Sequence, residues 1–207
     1  MNMVRPDAAY FKRVERWSAG AAYRHEITAL LDSLALQPGA RILDVGCGPG
    51  AALKELQRMQ TSPVGLDIYP AWAELCTRRP VVRGDAAALP FQDQCMDAAL
   101  LVHVVAHLGQ PLAGLQEIRR VLRPGGRLGL LTPNAMFLRA LRLRRRRPGY
   151  RPDPTVRRHY SLRRLCQDVR RAGFHILNAR PWGTRALPLP ADSLRERLLL
   201  VASPKEP

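Results

Sequence analysis

Three alternating glycines, Gly46, Gly48 and Gly50, follow directly on the apolar run Ile42-Leu43-Asp44-Val45. Glycine lets the backbone take positive φ and lets a ligand reach the main chain without meeting a Cβ. A helix beginning after Gly50 would present unpaired amides to that ligand. Asp44 places a carboxylate at the mouth of the loop, which repels a pyrophosphate and attracts an ammonium. The order D-x-G-x-G-x-G also departs from the dinucleotide-binding G-x-G-x-x-G. Two further acids end apolar runs in step with this loop. Asp67 closes Val64-Gly65-Leu66-Asp67, twenty-one residues after Gly46, near the spacing at which a βαβ unit offers a carboxylate to a ribose. Asp85 follows Pro80-Val81-Val82-Arg83-Gly84. Imidazole titrates near neutrality, so His103, His107 and His159 are the candidate bases if a nucleophile must lose a proton.

The elements that must hold these residues are legible in the hydrophobic spacing. Over residues 7–36, Tyr10, Phe11, Val14 and Trp17, then Ile27, Leu30, Leu31 and Leu34, recur at three and four, which predicts two helices parted near Gly20. Pro38-Gly39 predicts a turn, Arg41–Val45 a buried strand, and 51–59 a helix with Leu53 and Leu56 inward. Strands over 64–67 and 80–83 flank a short helix at 71–78, and Met96–Val102 is a fourth strand. A helix over 111–122, with Leu112, Leu115, Ile118, Val121 and Leu122 inward, is stopped by Pro124-Gly125-Gly126 and leads to a fifth strand at 128–131. Residues 136–158 are rich in arginine and proline, break this rhythm and read as an insertion. Ser161 is placed to cap a helix reaching Arg171, with Leu162, Leu165 and Val169 on one face and Gly173 ending it. Residues 174–179 and 198–201 then read as closing strands.

The expected fold is α/β: a Rossmann-like, doubly wound, seven-stranded and mostly parallel sheet in a single domain. Its parts are N-terminal helices over 1–37, a core over 38–134, an arginine-rich insertion over 135–160, and a closing helix and strands over 161–207.

Composition bounds the function classes. With 207 residues and 46% hydrophobic content the chain can bury a sizeable core. It has no apolar stretch of the roughly eighteen residues that a membrane helix needs, and its first thirty residues carry charges without an apolar signal core, so a cytoplasmic protein is expected. Cys47, Cys76, Cys95 and Cys166 lack paired C-x-x-C spacing, so neither a disulfide framework nor a metal site is expected. The formal charge of +16 divides into +3 over residues 1–134 and +13 over 135–207. Two explanations stand side by side: a surface for anionic ligands, or the preference of a GC-rich genome, which would supply thirty arginines against three lysines.

Four motifs stand in order: ILDVGCGPG from Ile42, VGLDI from Val64, VRGDAAALPF from Val82 and MDAALLVHVVAHL from Met96. A fifth, LQEIRRVLRPGGRLGL, starts at Leu115. Over about residues 38–132 they resemble the class I S-adenosylmethionine-dependent methyltransferases, most closely the ubiquinone-biosynthesis-like, methyltransferase type 11 group. The last seventy-five residues match only loosely.

The resemblance implies that S-adenosylmethionine is the cofactor and S-adenosylhomocysteine the product. It implies that Asp44 and the amides around Gly46, Cys47, Gly48 and Gly50 hold the methionine moiety. It implies that Asp67 accepts from the ribose hydroxyls with Ile68 beside the adenine, that Asp85 and the Ala86 amide read the adenine edge, and that His103 lies beside the sulfonium arm. His107 matches a histidine of the family's "EHL" segment, but Ala106 replaces the acid before it, and a structural role is expected.

Methyl transfer from a sulfonium needs alignment and exclusion of water more than it needs a base. No N-P-P-Y or D-P-P-Y follows the fourth strand, and no cysteine holds a position suited to cytosine methylation, which narrows the acceptor. A small-molecule acceptor is expected. The alternatives are an RNA (rRNA or tRNA) acceptor held by Arg139, Arg142, Arg144, Arg145, Arg146, Arg147, Arg151, Arg157 and Arg158, and a cofactor-binding, non-catalytic partner protein.

Overall fold

The computed structural model describes residues 7–69, 71–72, 80–144, 153–186 and 195–205, without the side chains of 140–144 and 184–186. In chain order the elements are α1 (Ala8–Ser18), α2 (Ala21–Asp32), β1 (Arg41–Val45), α3 (Ala51–Arg58), β2 (Ser62–Asp67), β3 (Val81–Arg83), β4 (Met96–Val102), α4 (Pro111–Val121), β5 (Leu122–Pro133), α5 (Ala135–Arg144), α6 (Leu162–Arg171), β6 (Phe174–Ala186) and β7 (Arg195–Pro204). The sheet order is β3-β2-β1-β4-β5-β7-β6. Pairings among the first five strands are parallel, and β7 runs antiparallel to both β5 and β6.

Strand alternation divides the core into two layers. Leu43, Val45, Ala99, Leu101, Leu128, Leu130, Leu198 and Leu200 face one side, where Leu115 and Ile118 of α4 and Leu165 and Val169 of α6 cover them. Ile42, Ala98, Leu100, Val102, Leu199 and Val201 face the other, under Ile27, Leu30 and Leu31 of α2 and Leu56 of α3. Burial on both faces explains why Ala98 to Val102 is an unbroken apolar run. Truncating Leu100, fully buried at its centre, would cost about 2–5 kcal/mol. Local signals act where expected: Asp7 caps α1 by accepting from the Tyr10 N–H, Ser161 caps α6 by accepting from the Arg164 N–H, and Pro111 opens α4.

Three expectations need correction. The fifth strand is longer than 128–131 because Pro124, Gly125 and Gly126 lie within its first turn of ladder, where β4 is irregular between Met96 and Ala98. The closing strands extend to Ala186 and from Arg195, since antiparallel partners continue pairing beyond their apolar centres. The segment from Met136 does not at once break the strand–helix rhythm, because 135–144 is helical. Asn134 starts it, its side-chain oxygen accepting from the Met136 N–H. The remaining insertion from 145 to 152, and most of the helix expected at 71–78, lie outside the described residues.

Candidate active site

The glycine loop joins the carboxyl end of β1 to α3, where an open α/β sheet offers its crevice. Gly46, Gly48 and Gly50 have φ of 72°, 51° and 78°, the left-handed region that glycine enters without strain. A Cβ at Gly46 would strike the Val104 side chain, so the loop lies tight against the segment after β4. A Cβ at Gly48 would meet nothing within 4 Å, so the loop opens there. Leu66 O accepts from the Gly46 and Cys47 N–H groups at 2.6 and 3.1 Å, tying the loop to β2. Cys47 is buried, and its Sγ would lie 2.7 Å from a Cβ at Gly65, which makes it a packed residue between loop and strand.

Three acids converge on this crevice in different states. Asp44 is 2% exposed, and no described residue hydrogen-bonds its carboxylate. Burial, and then the Asp67 charge, push it up to about 7. Asp67 accepts from the Gly48 N–H at 2.9 Å and the Tyr69 N–H at 3.0 Å; burial still raises it above the usual carboxylate range, against the lowering effect of those amides. Its two oxygens have spare lone pairs for further donors. Ile68 is half-buried beside it. Asp85 bends its own loop by accepting from the Ala87 N–H at 2.9 Å, and Ala86 is buried.

The N-terminal helices contribute residues that hydrophobic spacing assigned to an ordinary core face. Trp17 packs at a tilt against Tyr23 with ring centroids 4.4 Å apart and edge-on against His103 at 5.0 Å. Burial raises the Tyr23 phenol far above its ordinary value, and the Asp44 and Glu26 charges add to this. Phe11 packs edge-on against Tyr69 and Trp72 at 5.8 and 5.0 Å. Glu26, 6% exposed, bonds His103 Nε2 at 2.6 Å and pairs with Arg197 at 2.9 Å. Burial works to raise this carboxyl, but the His103 and Arg197 contacts outweigh it and hold it below its ordinary value. Burial depresses His103 despite Glu26 and with help from Arg197, so the ring is a neutral donor to an ionised Glu26. Its backbone, at φ 60°, is held by an N–H to Leu131 O bond of 2.7 Å. One signal for Glu26 was present in the sequence: a glutamate on the apolar face formed by Tyr23, Ile27 and Leu30. Its partner Arg197 is 171 residues away and gave none.

The remaining sequence candidates separate. His107 Nδ1 lies 2.8 Å from Thr155 Oγ1, so the histidine meets the distal end of the insertion. His159 is exposed, and no described residue hydrogen-bonds its side chain. Of the arginines proposed for RNA, Arg139 is exposed, and Arg157 and Arg158 donate backbone N–H groups to Ala106 O at 2.9 and 3.2 Å. The side chains of Arg142 and Arg144 and the whole of 145–147 and Arg151 lie outside the described residues. Among the described residues no cluster of three His, Cys, Asp or Glu could hold a metal, and no helix is long and apolar enough to cross a membrane.

A cleft of about 270 Å³ borders the loop, lined by Pro49, Gly50, Ala51 and Lys54 and by Ser18 and Arg24 of the N-terminal helices. A larger recess of about 510 Å³ lies at the opposite, amino end of the strands, between 34–40 and 123–127, away from all three acids. The smaller one lies nearer the carboxyl edge, where ligands bind an open parallel sheet, and it touches the loop only at Pro49 and Gly50, without reaching the three acids.

Residues 43–130 match the family model described as a methyltransferase domain. An uncharacterised 37.1 kDa protein of transposon TN4556 from Streptomyces fradiae is 32% identical over 188 residues, covering 84% of this chain and 53% of that protein. The demethylmenaquinone methyltransferase of Beutenbergia cavernae is 39% identical over 104 residues, 48% of this chain and 43% of that enzyme. The chain thus spans about half or less of the length of these relatives. A SAM-dependent methyltransferase from Archaeoglobus fulgidus has the same fold, with TM-score 0.73 and 17% identity over 93% of this chain and 99% of that one. The methyltransferase-domain match, laid over a glycine loop with Asp44 before it and Asp67 and Asp85 at the next two strand ends, identifies residues 43–130 as a methyltransferase domain of the class I S-adenosylmethionine-dependent kind.

Proposed function

We propose that this protein binds S-adenosylmethionine in the crevice at the carboxyl ends of β1, β2 and β3 and transfers its methyl group to a small-molecule acceptor. The observation that carries this reading is the state of Asp44. A buried carboxylate without a hydrogen-bond donor is costly, and a ligand ammonium would supply the missing partner and charge. The loop opens at Gly48, where the missing Cβ leaves room for the ligand, while its own amides are engaged, those of Gly46 and Cys47 by Leu66 O, that of Gly48 by Asp67 and that of Gly50 by Cys47 O. Asp67 takes the ribose hydroxyls with its remaining lone pairs, and Asp85 with the Ala86 amide reads the adenine edge. When bound, the sulfonium supplies an activated methyl group whose displacement needs no protein nucleophile. The chain's own work is to orient it, with Trp17, Tyr23 and His103 packed over the methionine end to exclude water.

The acceptor class rests on kinship: the relative from Beutenbergia cavernae is named for the methylation of demethylmenaquinone, and a relative from Mycobacterium ulcerans for that of phthiotriol and phenolphthiotriol dimycocerosates. Titration calorimetry of the full chain with S-adenosylhomocysteine tests the first half. Micromolar binding that weakens at least tenfold in Asp67→Ala and Asp44→Asn is the expected result, and absence of binding refutes it. Transfer of labelled methyl to quinols and to bulk RNA tests the second half, with label expected in the quinols.

A further inference from the structure

The segment after β4 carries a second histidine whose surroundings differ from those of His103. His107 Nδ1 is 2.8 Å from Thr155 Oγ1, and Thr155 Oγ1 donates to Asp153 Oδ1 at 2.6 Å. The Thr155 N–H holds the same carboxylate oxygen at 2.9 Å. An ionised carboxylate only accepts, so the threonine proton is committed to Asp153 and the threonine oxygen must accept from the ring. His107 is therefore the Nδ1–H tautomer, and its lone pair resides on Nε2. No described residue hydrogen-bonds Nε2.

The position of this nitrogen fits a role at the crevice. Val104 packs on Gly46, and Leu108 lies against the Gly114 position that also borders Ala86, so the segment 103–108 spans from the loop to the adenine-side acids. The backbone of Arg157 and Arg158 is clamped to Ala106 O, which fixes Asp153 and Thr155 against the histidine. Tyr10 of α1 makes a long 3.3 Å contact to Thr155 Oγ1, and its neighbour Phe11 packs on Tyr69, two residues past Asp67. The charged and titratable groups around the ring are Asp153 and Arg157 of the insertion, Tyr10 of α1, Tyr69 after β2 and His103. Burial lowers the His107 pKa, partly offset by the Asp153 charge and by the Thr155 backbone, so the ring is neutral near pH 7 and available to take a proton.

We infer that His107 Nε2 is the general base of this site, taking the proton of a hydroxyl-bearing acceptor, with Thr155 and Asp153 as positioning residues that fix its tautomer. The inference rests on the methyltransferase reading above. As the O–H bond breaks, its proton passes to Nε2, and an electron pair of the acceptor forms the new bond to the methyl carbon. The pair of the broken carbon–sulfur bond stays on sulfur, and the imidazolium later releases its proton to water. The carboxylate that Ala106 does not supply next to His107 is thereby supplied by Asp153, forty-six residues further along the chain.

The test begins with the tautomer. In the full chain labelled with ¹⁵N-histidine, two-bond correlation spectra at pH 7.5 should show His107, identified by its loss in His107→Gln, as Nδ1–H. In Asp153→Asn the threonine proton is free to turn to the ring, and the signal should move toward Nε2–H. Wild-type protein, with S-adenosylmethionine and a panel of hydroquinone, 1,4-dihydroxynaphthalene and 1,2-hexanediol, should methylate a member of the panel. His107→Gln should lower kcat at least 100-fold and erase the acid limb of its pH profile. Thr155→Val, nearly isosteric, should lower kcat about tenfold, with S-adenosylhomocysteine affinity in both variants within threefold of wild type. An Nε2–H tautomer in the wild type, a tautomer unchanged in Asp153→Asn, a His107→Gln variant that keeps its kcat, or a protein that binds S-adenosylhomocysteine yet methylates no member of the panel would each overturn the assignment. A wild type that binds no S-adenosylhomocysteine removes the reading of the site itself, and this inference with it.

Discussion

Asp44 and Glu26 are two carboxylates buried on the same side of the sheet, one at the end of β1 and one on α2, and they are held in opposite ways. Glu26 has a histidine donor and an arginine at 2.9 Å, and its carboxyl lies below the ordinary range. Asp44, more deeply buried at 2%, has no donor among the described residues and is pushed up to about 7. The contrast separates what a fold satisfies for itself from what it leaves for a ligand. A paired buried charge joins elements; here it pins α2 to β7 and to the segment after β4. An unpaired one is a cost in the free protein that a cation can cancel.

Breaking the paired side should have the largest effect. Glu26→Ala leaves Arg197 and His103 without their carboxylate and should lower unfolding free energy by about 3 kcal/mol, read as a shift in the urea midpoint. Asp44→Asn should do the reverse at neutral pH: its free form becomes more stable than wild type by about 1 kcal/mol, while S-adenosylhomocysteine affinity falls by about 10- to 100-fold in calorimetry. An equal loss of stability in both variants would erase the distinction.

The pH dependence sharpens it. The folded value of Asp44 is raised, so wild-type stability falls as pH rises from about 4 to about 7, by at most about 1.4 kcal/mol per unit from this group. Glu26 is lowered, so its contribution is present above its ordinary value and is lost as pH falls through the folded value. Denaturation curves between pH 5 and 7.5 should therefore flatten in Asp44→Asn. Because the ammonium needs the ionised carboxylate, cofactor affinity should rise with pH up to about 7, with proton release seen as a dependence of binding heat on buffer. The smallest effect is expected of Trp17→Ala, whose side chain is 42% exposed: about threefold weaker cofactor binding, with little change in the urea midpoint.

The loop, the three acids and the parallel strands were legible because each is a local pattern. Positive φ at Gly46, Gly48 and Gly50 needs glycine, and an acid at a strand end needs only its neighbours. Helix α1 was legible as a helix but not in its purpose: Phe11 and Trp17 look like core positions and instead cover Tyr69 and His103. The extent of β6 and β7 was hidden because pairing between antiparallel neighbours continues past the apolar residues that mark a strand in sequence. The helical start of the insertion was obscured because 135–144 combines good helix formers with the arginines that suggested a break.

By itself, the order of residues determined the fold class and put the glycine loop and the acids at the ends of their strands, since glycine conformations and strand-end positions are set within a few residues. Tertiary structure alone decided which buried carboxylate is satisfied and which histidine keeps a free lone pair. Those states depend on Arg197, Thr155 and Asp153, brought from 46 to 171 residues away onto groups whose charge is governed by burial and by hydrogen-bond partners.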